Sequence, residues 1–231
     1  YSQAVFGFVP SADFAPVFSS LEPAEVLPVI AANLASMAGP YGGDLIYGLP
    51  AMRLPLPARF PDRRVLAQIT RAMRGGKKLR ARYRSLSGQG SDAPRIIEPH
   101  TLVDTGLRWH VRAYSEAHYE FRDFVLSRFV EAECLSAPAE SSVDYDEDWV
   151  ETLTLKLGPH EKLALEKQAS LLLDYGTADV VQVEVRRALV GYLLQRLGVD
   201  TTADHRLNPE AYQLMLLNRD EVEPYAGWAL G

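Results

Sequence analysis

The sequence has one cysteine, Cys134, among its 231 residues. A single thiol cannot form an internal disulfide, so the composition fits a protein of the reducing cytoplasm. No run of about 18 apolar residues occurs, and the sequence therefore predicts no transmembrane helix. The first ten residues lack the basic and apolar regions of a signal peptide. The chain also lacks an initiator Met, so we expect its natural start to lie upstream.

Motifs of enzymes and metal sites are also missing. The GGK step at residues 75–77 is not a phosphate-binding loop, because Thr70 and Lys78 stand where that motif needs Gly and Ser or Thr. The five histidines have no metal-ligand spacing, and no Gly-x-Ser-x-Gly is present. Glu98 and His100 share a strand face, which could orient an imidazole, but no nucleophile accompanies them. We expect no enzyme, no metal site and no cofactor.

Charge is distributed unevenly along a chain whose formal net charge is -6. Residues 63–128 contain 14 basic and 6 acidic residues, a net charge of +8, whereas residues 1–62 carry -3 and residues 129–231 carry -11. A basic middle between acidic flanks predicts separate modules with different partners, although chance clustering would give the same pattern.

Apolar periodicity predicts two helices before and within the start of the basic region. The first begins at Pro23 and ends before residues 39–40, and the second covers about 63–74 between an Asp62 cap and residues 75–76. Residues 39–62 are rich in Gly and Pro and predict an extended connector.

Alternating residues predict a series of strands in the basic region, over 77–87, 95–103, 107–115 and 119–130. Short antiparallel strands without intervening helices indicate a small sheet or barrel. Residues 131–150 are acidic and contain Ser and Pro, which predicts a linker. From residue 151, strands and helices alternate, which predicts a small α+β domain with segments at 152–157, 159–175, 178–185, 186–197 and 211–217. The fold class expected of the chain is α+β.

Arginines and aromatic residues recur at strand spacing in the predicted sheet. Alternation on 107–115 places Trp109, Val111 and Ala113 on one face, and on the other Arg108, His110, Arg112 and Tyr114. On 119–130 a single face would carry Glu120, Arg122, Phe124, Leu126 and Arg128. Guanidinium groups grip phosphate and aromatic rings stack on bases, so this surface predicts an anionic or nucleotide-like ligand. A bulge in a strand would move some of these side chains to the opposite face of the sheet. Arginines that are merely solvated, without any ligand, would give the same pattern.

Four segments of this region resemble the WYL domain of bacterial transcriptional regulators that accompany anti-phage defence operons. They are LRARYRSLS at 79–87, IEPH at 97–100, RWHVRAY at 108–114 and FRDFVLSR at 121–128. The Trp-Tyr-Leu triplet that names the family is Trp109-His110-Val111 here, a departure at two of its three positions.

The resemblance implies an organisation for the whole chain. It implies the remnant of a winged-helix wing at 1–18, a helical connector at 19–76, an Sm-like, SH3-type β-barrel at 77–130 and, after the linker, a C-terminal α+β extension at 151–231. It also implies a ligand pocket formed by Tyr83, Ser85, His100, Arg108, Arg112, Arg122 and Arg128. In that pocket Tyr83 would stack or donate through its hydroxyl, Ser85 would donate to an oxygen, and the arginines would neutralise phosphates.

Three functions remain to be weighed on the sequence. The first, which the resemblance implies, is a homodimeric repressor that binds a nucleotide or oligonucleotide effector and reads operator DNA through an upstream winged helix-turn-helix. The second is a stand-alone module that binds single-stranded nucleic acid without controlling a promoter. The third, a nucleotide-processing enzyme, is disfavoured because no nucleophile or metal motif is present.

Overall fold

The computed structural model describes residues 23–36, 45–46, 49–50, 54, 56–57, 59–86 and 93–231. The chain divides into two units, Tyr1–Pro57 and Ala58–Gly231. In the first unit, helix α1 covers Pro23–Ser36, as the sequence predicts, and the short strands β1 (Leu45–Ile46) and β2 (Leu49–Pro50) pair antiparallel. The predicted wing remnant at 1–18 lies outside the described residues.

The second unit begins with helix α2, Arg63–Gly75. Its start is fixed by Asp62, whose Oδ1 accepts a hydrogen bond of 2.7 Å from the amide of Arg64, the role expected of a helix N-cap. Its end is fixed by Gly76, which has a left-handed φ of 56° that a residue without Cβ adopts readily. Both limits agree with the predicted helix.

A five-stranded antiparallel sheet follows α2 and forms, with the helix, what we call the basic module (residues 63–138). Its strand order is β6-β5-β4-β3-β7, with β3 at Lys77–Tyr83, β4 at Arg95–Asp104, β5 at Trp109–Ser115, β6 at Glu120–Val125 and β7 at Phe129–Pro138. Val65, Ile69 and Ala72 of α2 pack with the inner residues of all five strands in one core. This architecture agrees with the expected Sm-like fold.

Two predictions about the end of this sheet were wrong. The predicted strand 119–130 stops at Val125, because a 3₁₀ turn at Leu126–Arg128 reverses the chain into β7. The predicted linker 131–150 contains β7, a 3₁₀ turn at Val143–Tyr145 and the short helix α3, Glu147–Val150. Two of the acidic residues that suggested a linker are cross-strand partners of arginines: Glu133 bonds Arg80 at 2.9 Å, and Glu131 bonds Arg82 at 3.0 Å.

The C-terminal module (residues 152–231) is a second sheet with helices, as predicted. Its elements are β8 (Thr152–Pro159), α4 (Leu165–Asp174), β9 (Val181–Arg186), α5 (Val190–Leu197), β10 (Val199–Asp200), β11 (Leu214–Leu216) and α6 (Arg219–Ala226). The strand order is β10-β11-β8-β9, with only the β10–β11 pair parallel.

Three features of this module differ from the sequence prediction. Helix α4 begins at Leu165 rather than at Pro159, because buried His160 makes a turn there, accepting a hydrogen bond at Nδ1 from the amide of Lys162. Strand β10 and helix α6 were not predicted. Strand β10 is only two residues long, too short to give a periodic signal.

The C-terminal module has its own hydrophobic core, centred on Leu155, Leu157, Val190 and Leu194. Each module therefore has a hydrophobic core of its own. Across the described residues, no helix is long and apolar enough to cross a membrane.

Candidate anion-binding site

Strand β5 is buried on both of its faces. Val111 and Ala113 pack into the core of the basic module, whereas His110 and Arg112 lie on the opposite face and are only 1% and 4% exposed. The alternation predicted for β5 is therefore correct. The expectation that this face exposes its arginines to a ligand is not correct for Arg112, since residues from outside the sheet cover it.

Asp146, in the segment after β7, occupies the position in front of Arg112. The guanidinium donates to both carboxylate oxygens, from Nε to Oδ2 at 2.5 Å and from Nη2 to Oδ1 at 2.7 Å. It also reaches Oδ1 of Asp123 at 3.4 Å. Burial alone would lower the pKa of Arg112, but the bonds to Asp146 and the charge of Asp123 hold it above its usual value. Arg112 is thus neutralised internally, and its binding of a ligand phosphate stays a prediction of the sequence.

His100 is held by the same carboxylate. It sits where the register between β4 and β5 shifts, and this bulge turns its ring toward Asp146, with Nε2 3.1 Å from Oδ2. Nδ1 lies 2.8 Å from the hydroxyl of Thr101, and the rings of Phe121 and Trp149 flank the imidazole. Burial lowers the pKa of His100, Asp146 opposes that change, and Arg112 adds to it. His100 is therefore a structural partner of Asp146.

Glu98 secures the start of the segment that carries Asp146. Its Oε2 accepts hydrogen bonds from the amides of Glu140 (2.8 Å) and Ser141 (2.5 Å), and Lys78 lies 3.3 Å from its other oxygen. Burial would raise the pKa of Glu98, but these donors lower it below its usual value. The carboxylate therefore remains ionised and fixes the chain as it crosses the sheet. Glu98 serves this anchor and makes no contact with His100.

His110 differs from the other buried polar groups of this face. Its Nδ1 is one of only two buried side-chain nitrogen or oxygen atoms without a hydrogen-bond partner among the described residues. Its ring lies 4.8 Å from the ring of Tyr192, in α5 of the C-terminal module. Burial and then the charges of Arg108 and Arg128 lower the pKa of His110 to about 4. Both arginines therefore act on this imidazole through their charge.

Arg108 and Arg128 lie at the same end of the β5–β6 pair although 20 residues separate them, because His110 pairs with Val125 in register. Arg108 is half-buried in the turn before β5, where its carbonyl accepts from Thr105, and Arg128 is half-buried in the 3₁₀ turn after β6. Within the described part of the chain, neither guanidinium has a carboxylate within 4.0 Å. Two cations and a neutral imidazole nitrogen without a partner form what we call the Arg108–Arg128 site. An anion there would be bound by charge and by paired N–H donors.

Two of the other predicted pocket residues, Tyr83 and Arg122, lie elsewhere. Tyr83 is in the core with Phe124 and Phe129, and its hydroxyl accepts from the amide of Val125 at 3.1 Å. Arg122 pairs in register with Ala113, so it lies on the core side at the sheet edge, where it bonds Glu120. Ser85 is half-buried and follows Arg84, whose amide donates to the carbonyl of Arg128 at 3.0 Å. Of these three residues, only Ser85 therefore lies near the backbone of the Arg108–Arg128 site.

Three residues of the site were not found from the sequence. Asp146 and Tyr192 are brought to the sheet by chain folding over 34 and 82 residues from Arg112 and His110, and no local pattern reports such contacts. In the sequence, Asp123 can be recognised only as an acidic residue within the predicted strand that carries Arg122 and Arg128. It is buried between Arg112 and the hydroxyl of Tyr192, which donates to it at 3.2 Å. Burial raises the pKa of Asp123, against the effect of Arg112.

Two family models match the chain. Residues 64–134 match the WYL domain, and residues 152–222 match the BrxR transcriptional regulator, C-terminal dimerization domain. These ranges correspond to the basic module and the C-terminal module.

Curated relatives carry the name DNA-binding transcriptional repressor CapW. The protein from Escherichia coli (strain KTE188) is 37% identical over 184 residues, which cover 79% of this chain and 60% of the relative. That from Pseudomonas aeruginosa is 35% identical, covering 80% and 61%. The chain thus spans about three fifths of the length of these relatives.

A solved structure, proteasome accessory factor B/C (PafBC) of Arthrobacter aurescens, is also similar. It has a TM-score of 0.33 and 17% sequence identity, over 76% of this chain and 28% of that chain.

The ion pair of Asp146 and Arg112 yields a stability prediction. Asp146→Asn leaves the buried guanidinium of Arg112 with only its longer contact to Asp123, so we expect a loss of about 3–5 kcal/mol in the free energy of unfolding. Denaturant unfolding followed by circular dichroism measures it. As a control, Asp148→Asn removes an exposed carboxylate two residues away, and we expect a change of less than about 0.5 kcal/mol. Equal effects of the two substitutions would contradict this assignment.

The environment of His110 yields a pH prediction. Its depressed pKa means that the unfolded chain binds the proton more readily, so its contribution to stability is present above about pH 6.5 and is lost as the pH falls through about 4. Removing a nearby cation, as in Arg108→Gln, is expected to raise the pKa. Histidine NMR titration measures the midpoint, and Arg122→Gln, on the other side of the sheet, serves as control. An unchanged midpoint in Arg108→Gln and Arg128→Gln alike would show that neither arginine lies beside His110.

Proposed function

Because the chain carries a WYL domain followed by a BrxR-type C-terminal dimerization domain, and is homologous to repressors named CapW, we propose that it is the sensing and dimerizing part of a transcriptional repressor. A nucleotide or oligonucleotide effector binds its WYL sheet and changes the affinity of an upstream winged helix-turn-helix for operator DNA, at a phage-defence operon in the bacterial cytoplasm. The chain itself catalyses no reaction.

The Arg108–Arg128 site is the observation that supports effector binding most directly. Of the four arginines on or beside strands β5 and β6, Arg112 is neutralised by Asp146, and Arg122 faces the other side of the sheet beside Glu120. Arg108 and Arg128 keep their positive charge available beside the unpartnered Nδ1 of His110. A phosphate supplies the charge and the acceptor oxygens that this arrangement lacks.

Contacts around the site give a route from the effector to the C-terminal module. Tyr192 of α5 packs on the ring of His110 and donates to Asp123, which in turn bonds Arg112. A ligand that bonds His110 therefore displaces the side chain of Tyr192. Tyr192 belongs to α5, the helix that precedes β10 of the C-terminal sheet. Movement of α5 relative to the WYL sheet is the proposed switch, which biases the dimer between a DNA-binding and a released form.

A stand-alone module for single-stranded nucleic acid remains the alternative. It needs the same cationic site but no coupling to a DNA-reading domain. The protein with its upstream region separates the two functions: an oligonucleotide that changes the affinity for duplex DNA from its own promoter supports the repressor, and one that binds without any such change supports the module.

We predict that Arg108→Ala and Arg128→Ala each weaken binding of a fluorescein-labelled eight-nucleotide single-stranded DNA about tenfold or more, because each loses a charge-assisted bond of about 1.5–3 kcal/mol. Fluorescence anisotropy over a series of NaCl concentrations would also give a shallower salt dependence. Arg122→Ala is the matched control, since it removes the same charge from the opposite face. Equal loss in all three variants would reject the site and leave only a general charge effect.

The proposal of a dimer is supported by an apolar stripe on α4, within the segment that matches the dimerization domain. Leu165 and Leu173 are 81% and 79% exposed, and with Ala169 they recur at every fourth residue on one side of the helix. Two antiparallel copies of α4 that cross at Ala169 bring Leu165 of each against Leu173 of the other. The small side chain at the crossing lets the two backbones approach. We therefore propose α4 as the dimer contact of the C-terminal module.

We expect Leu165→Glu with Leu173→Glu to give a monomer, because charges replace the apolar contacts on both sides of the two-fold axis. Light scattering after size-exclusion chromatography measures the mass. Val130→Glu, which adds a charge at another exposed apolar residue (42% exposed), is the control and should remain dimeric. A monomeric wild-type protein would disprove the dimer itself, whereas a dimeric double variant would reject only the α4 contact.

A further inference from the structure

Helix α2 has a strongly basic outer face. Its buried side is formed by Val65, Ile69 and Ala72. At 3.6 residues per turn, its four exposed arginines fall within an arc of roughly 100° on the opposite side. These residues, which we call the α2 arginines, are Arg63, Arg64, Arg71 and Arg74. No Asp or Glu occurs between residues 63 and 84, so no acid on the helix offsets them.

The α2 arginines differ from the neighbouring arginines of β3 in their partners. On β3, Arg80 bonds Glu133 and Arg82 bonds Glu131. Among the residues that the structure describes, the four guanidinium groups of α2 make no ion pair or hydrogen bond. The chain is acidic overall, with a net charge of -6, and yet it leaves this group of cations without carboxylates. Such a patch raises the local concentration of a polyanion.

The distance between these arginines indicates which kind of polyanion can contact all of them. Arg63 and Arg74 are separated by about 16 Å along the helix axis at 1.5 Å per residue. One phosphate group cannot contact both ends of such a face, whereas a duplex presents a charge every 1.7 Å or so over the same length. The positions between the arginines hold Ala67 and Thr70, so the helix can approach a backbone without a bulky side chain in the way.

A membrane surface fits this face poorly. Helices that lie on anionic bilayers insert an apolar face among the lipids. The apolar face of α2 is already committed to the core of the WYL sheet, where Ile69 and Ala72 are fully buried. The outward face offers four guanidinium groups with only the small residues Ala67 and Thr70 between them, which matches a phosphate backbone.

We propose that the α2 arginines are a second DNA-contacting surface of the protein, which binds the phosphate backbone of duplex DNA independently of sequence. This contact is separate from the operator-reading domain and from the Arg108–Arg128 site. It holds the sensing part of the molecule against the duplex and adds a salt-dependent share of the affinity.

The test uses the 231-residue chain and a fluorescein-labelled 30-base-pair duplex of arbitrary sequence, with binding measured by anisotropy at several NaCl concentrations. Arg71→Gln with Arg74→Gln removes two of the α2 arginines. If both contact phosphates, the slope of log affinity against log salt becomes shallower by about 1.8, since each contact contributes about 0.9. The affinity at low salt falls with it.

Arg80→Gln with Arg82→Gln is the matched control, because it lowers the net charge by the same amount but removes arginines that already have carboxylate partners. We expect its slope to change by less than half as much. Equal changes in the two double variants, or no duplex binding by the wild-type chain at low salt, would overturn the proposal. Binding to phosphatidylserine vesicles that the α2 substitutions abolish, with duplex binding unaffected, would overturn it in favour of a membrane. Circular dichroism checks that both variants retain the helix.

Discussion

The buried ion pair between Arg112 and Asp146 fixes to the WYL sheet the segment that leads into the C-terminal module. Removing two charges from water costs several kcal/mol for each ion, and this cost is recovered only where the geometry is good and the remaining donors and acceptors are bonded. The pair meets this condition: Arg112 makes two bonds to Asp146 and a longer one to Asp123, while His100 takes the free side of the Asp146 carboxylate. The segment that carries Asp146 is consequently fixed on the sheet, and it leads directly into β8, the first strand of the C-terminal module.

The arginines of the WYL sheet differ in whether a carboxylate of the protein bonds them. Those with internal carboxylates, Arg112 on β5 with Arg80 and Arg82 on β3, hold strands and segments together. Arg108 and Arg128 have no such partner in the described structure, and they flank a histidine whose nitrogen is also unbonded. A basic composition alone does not distinguish these groups. The location of each carboxylate does, and that is why the binding hypothesis narrows from four arginines to two.

Local patterns predicted the elements of this fold better than they predicted its site. The buried positions of α2, its caps at Asp62 and Gly76, and the two faces of β5 all follow from spacing along a few turns or a few strand residues. The bulge at His100, the 3₁₀ turn at Leu126–Arg128 and the pairing of acidic β7 with basic β3 depend on contacts that close over many residues. The site depends on contacts of this second kind, because Asp146 and Tyr192 reach the sheet from other elements.

The position of Asp123 indicates how the two modules could exchange information. Its carboxylate lies between a guanidinium of the WYL sheet and a hydroxyl of α5, so among the described acids of the sheet it alone bonds both modules. Burial raises its pKa and Arg112 opposes that rise, so its charge depends on how closely Arg112 and Tyr192 stay in place. Tyr192 also packs on His110, which borders the two available arginines. An anion bound by Arg108 and Arg128 is therefore only two side chains, His110 and Tyr192, away from the hydrogen bond between Tyr192 and Asp123 that joins the two modules. The coupling needs no long path through the core.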